Sequence, residues 1–412
     1  MNLFIKNIKA LAGIHPKNKL VLRGNELSHL PVIENAFLLT EGDKIKSFGS
    51  MNEIFSLNIP TGTEEINAKG KFVLPAFCDS HTHLVFAATR EEEFVDKIKG
   101  LTYEQIAAKG GGILNSAKKL SATSEEELVE SALKRLEEVR SQGTGAIEIK
   151  SGYGLSVEAE LKMLRVIRKL KAFSPLKIKS TFLGAHAIPV EYKLNRNEYI
   201  RIVIEEMMPR IADENLADYC DVFCENGFFT PEETDKILQA GWKHNLKPKI
   251  HANQLAISGG VQAGVRNNAI SVDHLENIGD EEISVLKNSN TIATMLPAAA
   301  FFLRLPYPPA RKMIEENLAV ALATDFNPGS SPSGRMSFVI SLACIQMRMT
   351  PEEAINAATL NGAAAMELAD DYGSIAIGKK ANLIITKEIS SLANIPYHFG
   401  EDKIDRVILN GE

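Results

Sequence analysis

His81-Thr82-His83 is where this sequence first offers chemistry. Residues i and i+2 of an extended segment project to one side, so the pair aims two imidazoles at one point. Borderline metals such as Zn²⁺ and Fe²⁺ accept that ligand type. Alone, an H-x-H pair fits two surface histidines equally well. This pair has company. The chain carries nine histidines, and five of them, His81, His83, His186, His251 and His274, fall at the ends of short apolar runs. Asp325 ends another, LAVALATD. A carboxylate in that position is costly to bury unless it is paired. His81, His83, His251 and Asp325 together make a mononuclear ligand set, and such a set leaves room for the water that a catalytic metal needs. One divalent or trivalent ion per subunit is expected, zinc or iron, since both take three imidazoles and a carboxylate.

The elements that must position these residues are legible in the same runs. Eight strand candidates occur at 71–79, 145–150, 177–186, 217–225, 247–252, 269–276, 290–297 and 318–325. Helical patterns lie between most of them. Val157, Leu161, Leu164 and Ile167 recur at a three-to-four spacing, the mark of an amphipathic helix. Ser124 with Glu127 reads as a capping box. Thr230-Pro231-Glu232-Glu233 and Thr350-Pro351-Glu352-Glu353 each supply a cap, a proline at the first helical position and a glutamate at the third. Eight strands alternating with helices over ~250 residues is the arithmetic of a (β/α)₈ barrel, whose active site lies at the C-terminal ends of the strands. A doubly wound sheet lacks support. Gly110-Gly111-Gly112 follows no strand and precedes no Walker lysine.

The barrel is expected over 76–372. Segments 1–75 and 373–412 share a texture of short strands and turns, which predicts a small β-domain built from both chain ends. No period of 20–50 residues marks a solenoid or propeller. The chain has 412 residues, 45% of them apolar and 24% charged, with a formal charge of −6. That balance argues against a nucleic-acid or polybasic membrane surface. No run reaches the ~18 apolar residues of a membrane span. Lysines interrupt the opening MNLFIKNIKALAG, unlike a signal peptide. Four cysteines are too few for a disulfide framework in a chain this long and fit the cytoplasm. Cys220 and Cys224 read as strand packing, because the partner ligands of a zinc pair are missing.

These motifs resemble the amidohydrolase superfamily. The carrying segments are PAFCDSHTH (75–83), KIHAN (249–253), DHLE (273–276) and LATDFNP (322–328), flanked by GDKIKSFG (42–49) and GSIAIGKKANL (373–383), which resemble that superfamily's β-sandwich built from 1–75 and 373–412. A narrower similarity, to the members that open an imidazolone ring during histidine breakdown, rests on HTHLVFAATREEEF (81–94), KGGGI (109–113), EIKSGYGL (148–155), FLGAHAIP (182–189), CENGFF (224–229), LPAAAFFL (296–303) and TDFNPGS (324–330). Ala76 and Ser80 stand where that pattern often has Gly and Pro, and Asn382 replaces a common Asp. Gln254 occupies a position where some members carry a proton-shuttling Glu. An amide cannot move a proton, so suspicion shifts to Asp325 and His274.

The resemblance implies hydrolysis of the ring amide of 4-imidazolone-5-propanoate to N-formimidoyl-L-glutamate. Asp325 would carry the proton and His274 would steady the water or oxyanion. Arg90, just beyond the histidine pair, has the fork that suits a carboxylate. Tyr153 lies between two glycines, in a loop expected to approach a ligand closely. His186 is expected to donate to a substrate oxygen, with Gln254 as a further hydrogen-bonding group. Asn327, Gly329 and Ser330 are expected to offer an amide and free backbone N–H groups. Gly110–Gly112 would form a mobile loop over the pocket. His15, His29, His244 and His398 are assigned to structure or surface. A homodimer acting on a small molecule is expected. Three rivals stay open. One is a ring deaminase of the same superfamily. Another is a dinuclear cyclic amidase, which needs a lysine after the fourth strand, where Cys224-Glu225 stands. The last is a non-catalytic assembly protein, which would be expected to have lost ligands.

Overall fold

The computed structural model describes residues 2–101, 105 and 111–412. Lys109 and Gly110 of the glycine motif lie outside the described residues. Five strands open the chain: β1 (Leu3–Ala12), β2 (Val32–Glu41), β3 (Lys44–Ser50), β4 (Glu64–Asn67) and β5 (Lys71–Pro75). Nine follow: β6 (Phe77–Asp79), β7 (Thr144–Lys150), β8 (Lys177–Ala185), β9 (Tyr219–Cys224), β10 (Lys247–Pro248), β11 (Ile250–Ala252), β12 (Ser271–His274), β13 (Ile292–Met295) and β14 (Val320–Leu322). Two close it, β15 (Leu383–Glu388) and β16 (Ile404–Ile408).

The chain ends meet in one seven-stranded mixed sheet, ordered β16-β15-β5-β1-β2-β3 with β4 on β1. Its apolar layer draws on both termini, including Leu3, Ile5, Ile8, Leu38, Leu383, Ile385 and Ile408. The run 71–79 was expected as one strand, and here the structure corrects the sequence reading. Pro75 pairs with Leu383 in the end sheet, whereas Phe77 pairs with Thr144 in the barrel. Ala76 between them donates its N–H to the Asn382 carbonyl at 2.9 Å. Both halves are buried, so hydrophobicity carries no mark of the change of sheet.

The second sheet is parallel and follows chain order, β14-β13-β12-β11-β9-β8-β7-β6, with β10 beside β9. It closes just beyond its first and last strands. Thr82 bridges Phe326 in parallel fashion. Asp325 donates its N–H to the His81 carbonyl at 3.0 Å, and His83 donates to Phe326 at 2.9 Å. The segments that carry three of the candidate ligands, His81, His83 and Asp325, are therefore the ones that zip the barrel shut. Helices follow the strands where the pattern placed them, including Glu125–Ser141, Val157–Phe173, Pro231–Lys243 and Pro351–Ala358. The capping boxes of Ser124, Thr230 and Thr350 all form. The helix Val157–Phe173 buries Leu161, Leu164 and Ile167 in the main core.

Candidate active site

His81 and His83 follow β6, His251 lies in β11, His274 ends β12, and Asp325 follows β14. All five are at most 3% exposed. Two ligand groupings share His81: one with His83 and Asp325, the other with His251 and His274, with ligand atoms within 4.8 Å of one another in each. Asp325 Oδ1 lies 3.6 Å from His81 Nε2 and 3.7 Å from His83 Nε2. His83 Nε2 and His251 Nε2 face each other at 3.3 Å.

Two of the central rings are oriented from behind. His81 Nδ1 donates to Asp273 Oδ2 at 2.6 Å. His251 Nδ1 donates to Asp221 Oδ1 at 3.0 Å. A carboxylate can only accept here, so both rings carry their lone pair on Nε2, toward the centre. His81 Nε2 is buried without a hydrogen-bond partner among the described residues. Converging lone pairs and a carboxylate repel one another, and a cation relieves the repulsion. The donor set thus fits a metal, and three imidazoles with one carboxylate suit a catalytic ion.

Beneath the rings, Lys150 ties the two carboxylates together. Its Nζ lies 2.8 Å from Asp221 Oδ2, 2.6 Å from Glu148 Oε1 and 3.6 Å from Asp273 Oδ2. Lys249 pairs with the other oxygen of Glu148. Burial favours protonation of Asp221, but His251 and Lys150 outweigh it and hold the group well below the usual carboxylate range. His81 and His83 are kept neutral chiefly by burial. Burial also disfavours the charged ring of His274, yet the Glu276 carboxylate, 3.3 Å from its Nδ1, prevails and raises it to about 9. Asp325 is pushed up to about 6 by burial, opposed by His274 and by its hydrogen-bonded neighbours. Backbone strain collects here too, with φ of 88° at His274, 68° at Leu275 and 55° at Asp325.

Above the ligands is a cavity of about 320 Å³, lined by Arg90, Lys97, Tyr153, His186, Gln254, Asn327, Gly329 and Ser330, with Phe223 and Phe228 as an apolar wall. Every residue expected to bind substrate is present, but four details change. Arg90 is not free: its guanidinium pairs with Glu93, one turn on. His186 Nδ1 donates to the Gly152 carbonyl at 3.0 Å. Burial holds the ring neutral at about 3, so its other nitrogen accepts a hydrogen bond and does not donate one. The backbone N–H groups of Gly329 and Ser330 are not free either. Both donate to Asn327 Oδ1 at 2.8 Å, because an Asn side chain closes its own turn. Finally, the glycines beside Tyr153 bring the loop backbone close to protein groups. Gly152 and Gly154 donate to the buried Glu160 carboxylate at 3.1 and 2.7 Å. Gly112 likewise donates to Glu93 at 3.0 Å.

Sequence reasoning missed Asp221, Asp273, Lys150, Glu148, Glu276, Glu160 and Lys97. One signal was available for Glu148 and Lys150. They alternate within the apolar strand run GAIEIK, so they share a face and need partners if buried. Cys220 and Cys224 are buried in β9 and belong to neither ligand grouping.

A parallel barrel with imidazoles and a carboxylate converging at its C-terminal mouth is the framework of a metal-assisted hydrolase. The amidohydrolase family matches residues 72–412. A curated imidazolonepropionase of Flavobacterium johnsoniae is 57% identical over 408 residues, covering 99% of this chain and 98% of that protein. One from Christiangramia forsetii is 55% identical and covers 100% of both chains. Among solved structures, a triazine hydrolase variant aligns with a TM-score of 0.75 at 15% identity, covering 100% of this chain and 94% of that one. Guanine deaminase of E. coli aligns at 0.71 and 15%, covering 100% and 98%. At that identity the structures speak only for the fold. The chain belongs to the amidohydrolase family and, within it, to the imidazolonepropionases.

Proposed function

We propose that the protein adds water to the ring amide of 4-imidazolone-5-propanoate, releasing N-formimidoyl-L-glutamate in the breakdown of histidine. The relatives above support the substrate. The observation that carries the chemistry is the convergence of His81, His83, His251 and Asp325 beneath a cavity with Arg90 in its wall. Those four residues would hold one zinc or iron ion per subunit. When bound, the ion supplies Lewis acidity, polarising a carbonyl and bringing the pKa of water toward ~7. The Asp325 carboxylate takes the proton of the attacking water. As the oxygen bonds to the ring carbonyl carbon, the ring C–N bond breaks, and Asp325 returns the proton to the departing nitrogen. His274, held cationic by Glu276, donates to the developing oxyanion. Arg90 takes the propionate, and Tyr153 donates to the ligand. His186 accepts from a ring N–H, and Phe223 and Phe228 keep water from the ring. Gln254, Asn327, Gly329 and Ser330 shape the remaining wall.

We also propose a homodimer that works in the cytoplasm on this small molecule, without nucleic acid or membrane. The formal charge of −6 supports the part of that reading that sets aside nucleic acid and anionic membrane surfaces. Among the described residues no helix is long and apolar enough to cross a membrane. A division into 1–75, 76–372 and 373–412 belongs to the same proposal, supported by which strands enter each sheet.

The test incubates purified protein with 4-imidazolone-5-propanoate and follows the loss of its ultraviolet absorbance, with ammonia assayed in parallel. Loss of absorbance without ammonia is expected. Stoichiometric ammonia would support the deaminase reading, and no turnover by metal-loaded protein would overturn the assignment.

A further inference from the structure

The cavity mouth contains a cation that the sequence patterns did not mark. Arg90 caps the helix Glu91–Ile98, and Glu93 and Lys97 follow on it at i+3 and i+7, so all three share one face. Arg90 and Glu93 form a pair. Two cations against one carboxylate leave a single positive charge, and Lys97 supplies it.

Lys97 is half-buried and lines the cavity. An ammonium has three donors. Among the described residues, Lys97 Nζ has one hydrogen-bond acceptor, the Gly329 carbonyl, at a long 3.4 Å. It also lies over the Phe302 ring, 5.9 Å from the centroid. Arg90 also has a buried Nε–H with no partner among the described residues. Spare donors on two cations therefore flank Gly329, where a Cβ would overlap Arg90 Nη1. Burial first, and Arg90 second, disfavour the charged form of Lys97, and Glu93 opposes them. An anion in the mouth would relieve both.

We propose that Lys97 is a second carboxylate-binding residue, which leaves its resting contact on the Gly329 carbonyl to clamp the ligand's propionate opposite Arg90. With Arg90 already neutralised by Glu93, Lys97 supplies the net attraction for an anionic tail. It sets selectivity for ring substrates that carry a carboxylate over neutral ones. This rests on the functional reading above and assigns a further residue to that site.

The experiment measures calorimetric binding of 3-(imidazol-4-yl)propanoate and its neutral amide, 3-(imidazol-4-yl)propanamide, to the metal-loaded protein. Wild type, Lys97→Met and Lys97→Arg are compared, with turnover of 4-imidazolone-5-propanoate recorded for each. Lys97→Met should weaken the carboxylate ligand by roughly tenfold or more, as for loss of a hydrogen bond to a charged group, and leave the amide unchanged. Lys97→Arg should restore most of the carboxylate affinity. KM should rise with Lys97→Met while kcat holds, the pattern of lost uniform binding. Equal weakening of both ligands, or no weakening of either, overturns the proposal, as does a wild type that binds the two alike. A wild type that fails to hydrolyse the imidazolone yet prefers the carboxylate ligand through Lys97 would sink the functional reading and leave this one standing.

Discussion

Asp273 Oδ2 lies 2.6 Å from His81 Nδ1, so the residue before His274 orients the first histidine of the pair at 81 and 83. The same carboxylate accepts from Ser271 Oγ at 2.5 Å and faces Lys150 at 3.6 Å. Loss of a partner behind a ligating histidine costs on the order of 10- to 100-fold in metal affinity. Asp273→Asn should therefore weaken metal binding by that factor in a competition titration against a chelator. Unchanged affinity would mean that the backbone alone sets the ring.

Metal content distinguishes a single-ion site from a dinuclear one. Elemental analysis should find one ion per chain, lost on chelation together with activity and regained on adding zinc or iron. His81→Ala should lower both. Two ions per chain would point to the dinuclear cyclic amidase.

Proton transfer separates Asp325 from Gln254. Gln254 lines the cavity as a neutral amide, and its removal should cost one neutral hydrogen bond, roughly 0.5–1.5 kcal/mol or about tenfold in rate at most. Asp325→Asn should be nearly inactive even in the fraction that retains metal. If Gln254→Ala abolishes turnover at normal metal content, Gln254 orients the attacking water and Asp325 does not act alone.

Arg90→Ala should cost ~1.5–3 kcal/mol in kcat/KM, the worth of a hydrogen bond to a charged group. The loss should fall mainly on KM. Glu93 joins Arg90 to the Gly112 backbone, so a second outcome is open to measurement. If a substrate analogue without the carboxylate suffers equally, Arg90 acts by holding that segment and not by binding the tail.

Stability offers a test outside the site. Thr350 Oγ1 accepts from the Glu353 N–H at 3.3 Å, and the Thr350 N–H donates to Glu353 at 2.8 Å. Thr350→Ala should destabilise the protein by ~1 kcal/mol, read as a lower denaturant midpoint with unchanged slope.

The sequence by itself determined the barrel, the joining of both chain ends in one small β-unit, and which residues are candidates to hold a metal. Each of these rests on local period. Apolar runs alternate with helical stripes, caps mark the helix starts, and polar residues end the runs at one mouth. A period survives in sequence because it reports which side of an element is buried. Pairing partners leave no such trace. Asp273 meets His81 across 192 positions, and Lys150 meets Asp221 across 71. Only closure of the barrel brings such groups within hydrogen-bond distance. The same holds for which nitrogen of His186 faces the cavity, for the turn in which Asn327 consumes the N–H groups of Gly329 and Ser330, and for the pairing of Arg90 with Glu93. Each depends on a donor meeting one acceptor and not another, and burial in three dimensions decides that choice. The change of sheet at Ala76 was hidden for a related reason: both sides of the break are equally buried, so no change in hydrophobicity records it.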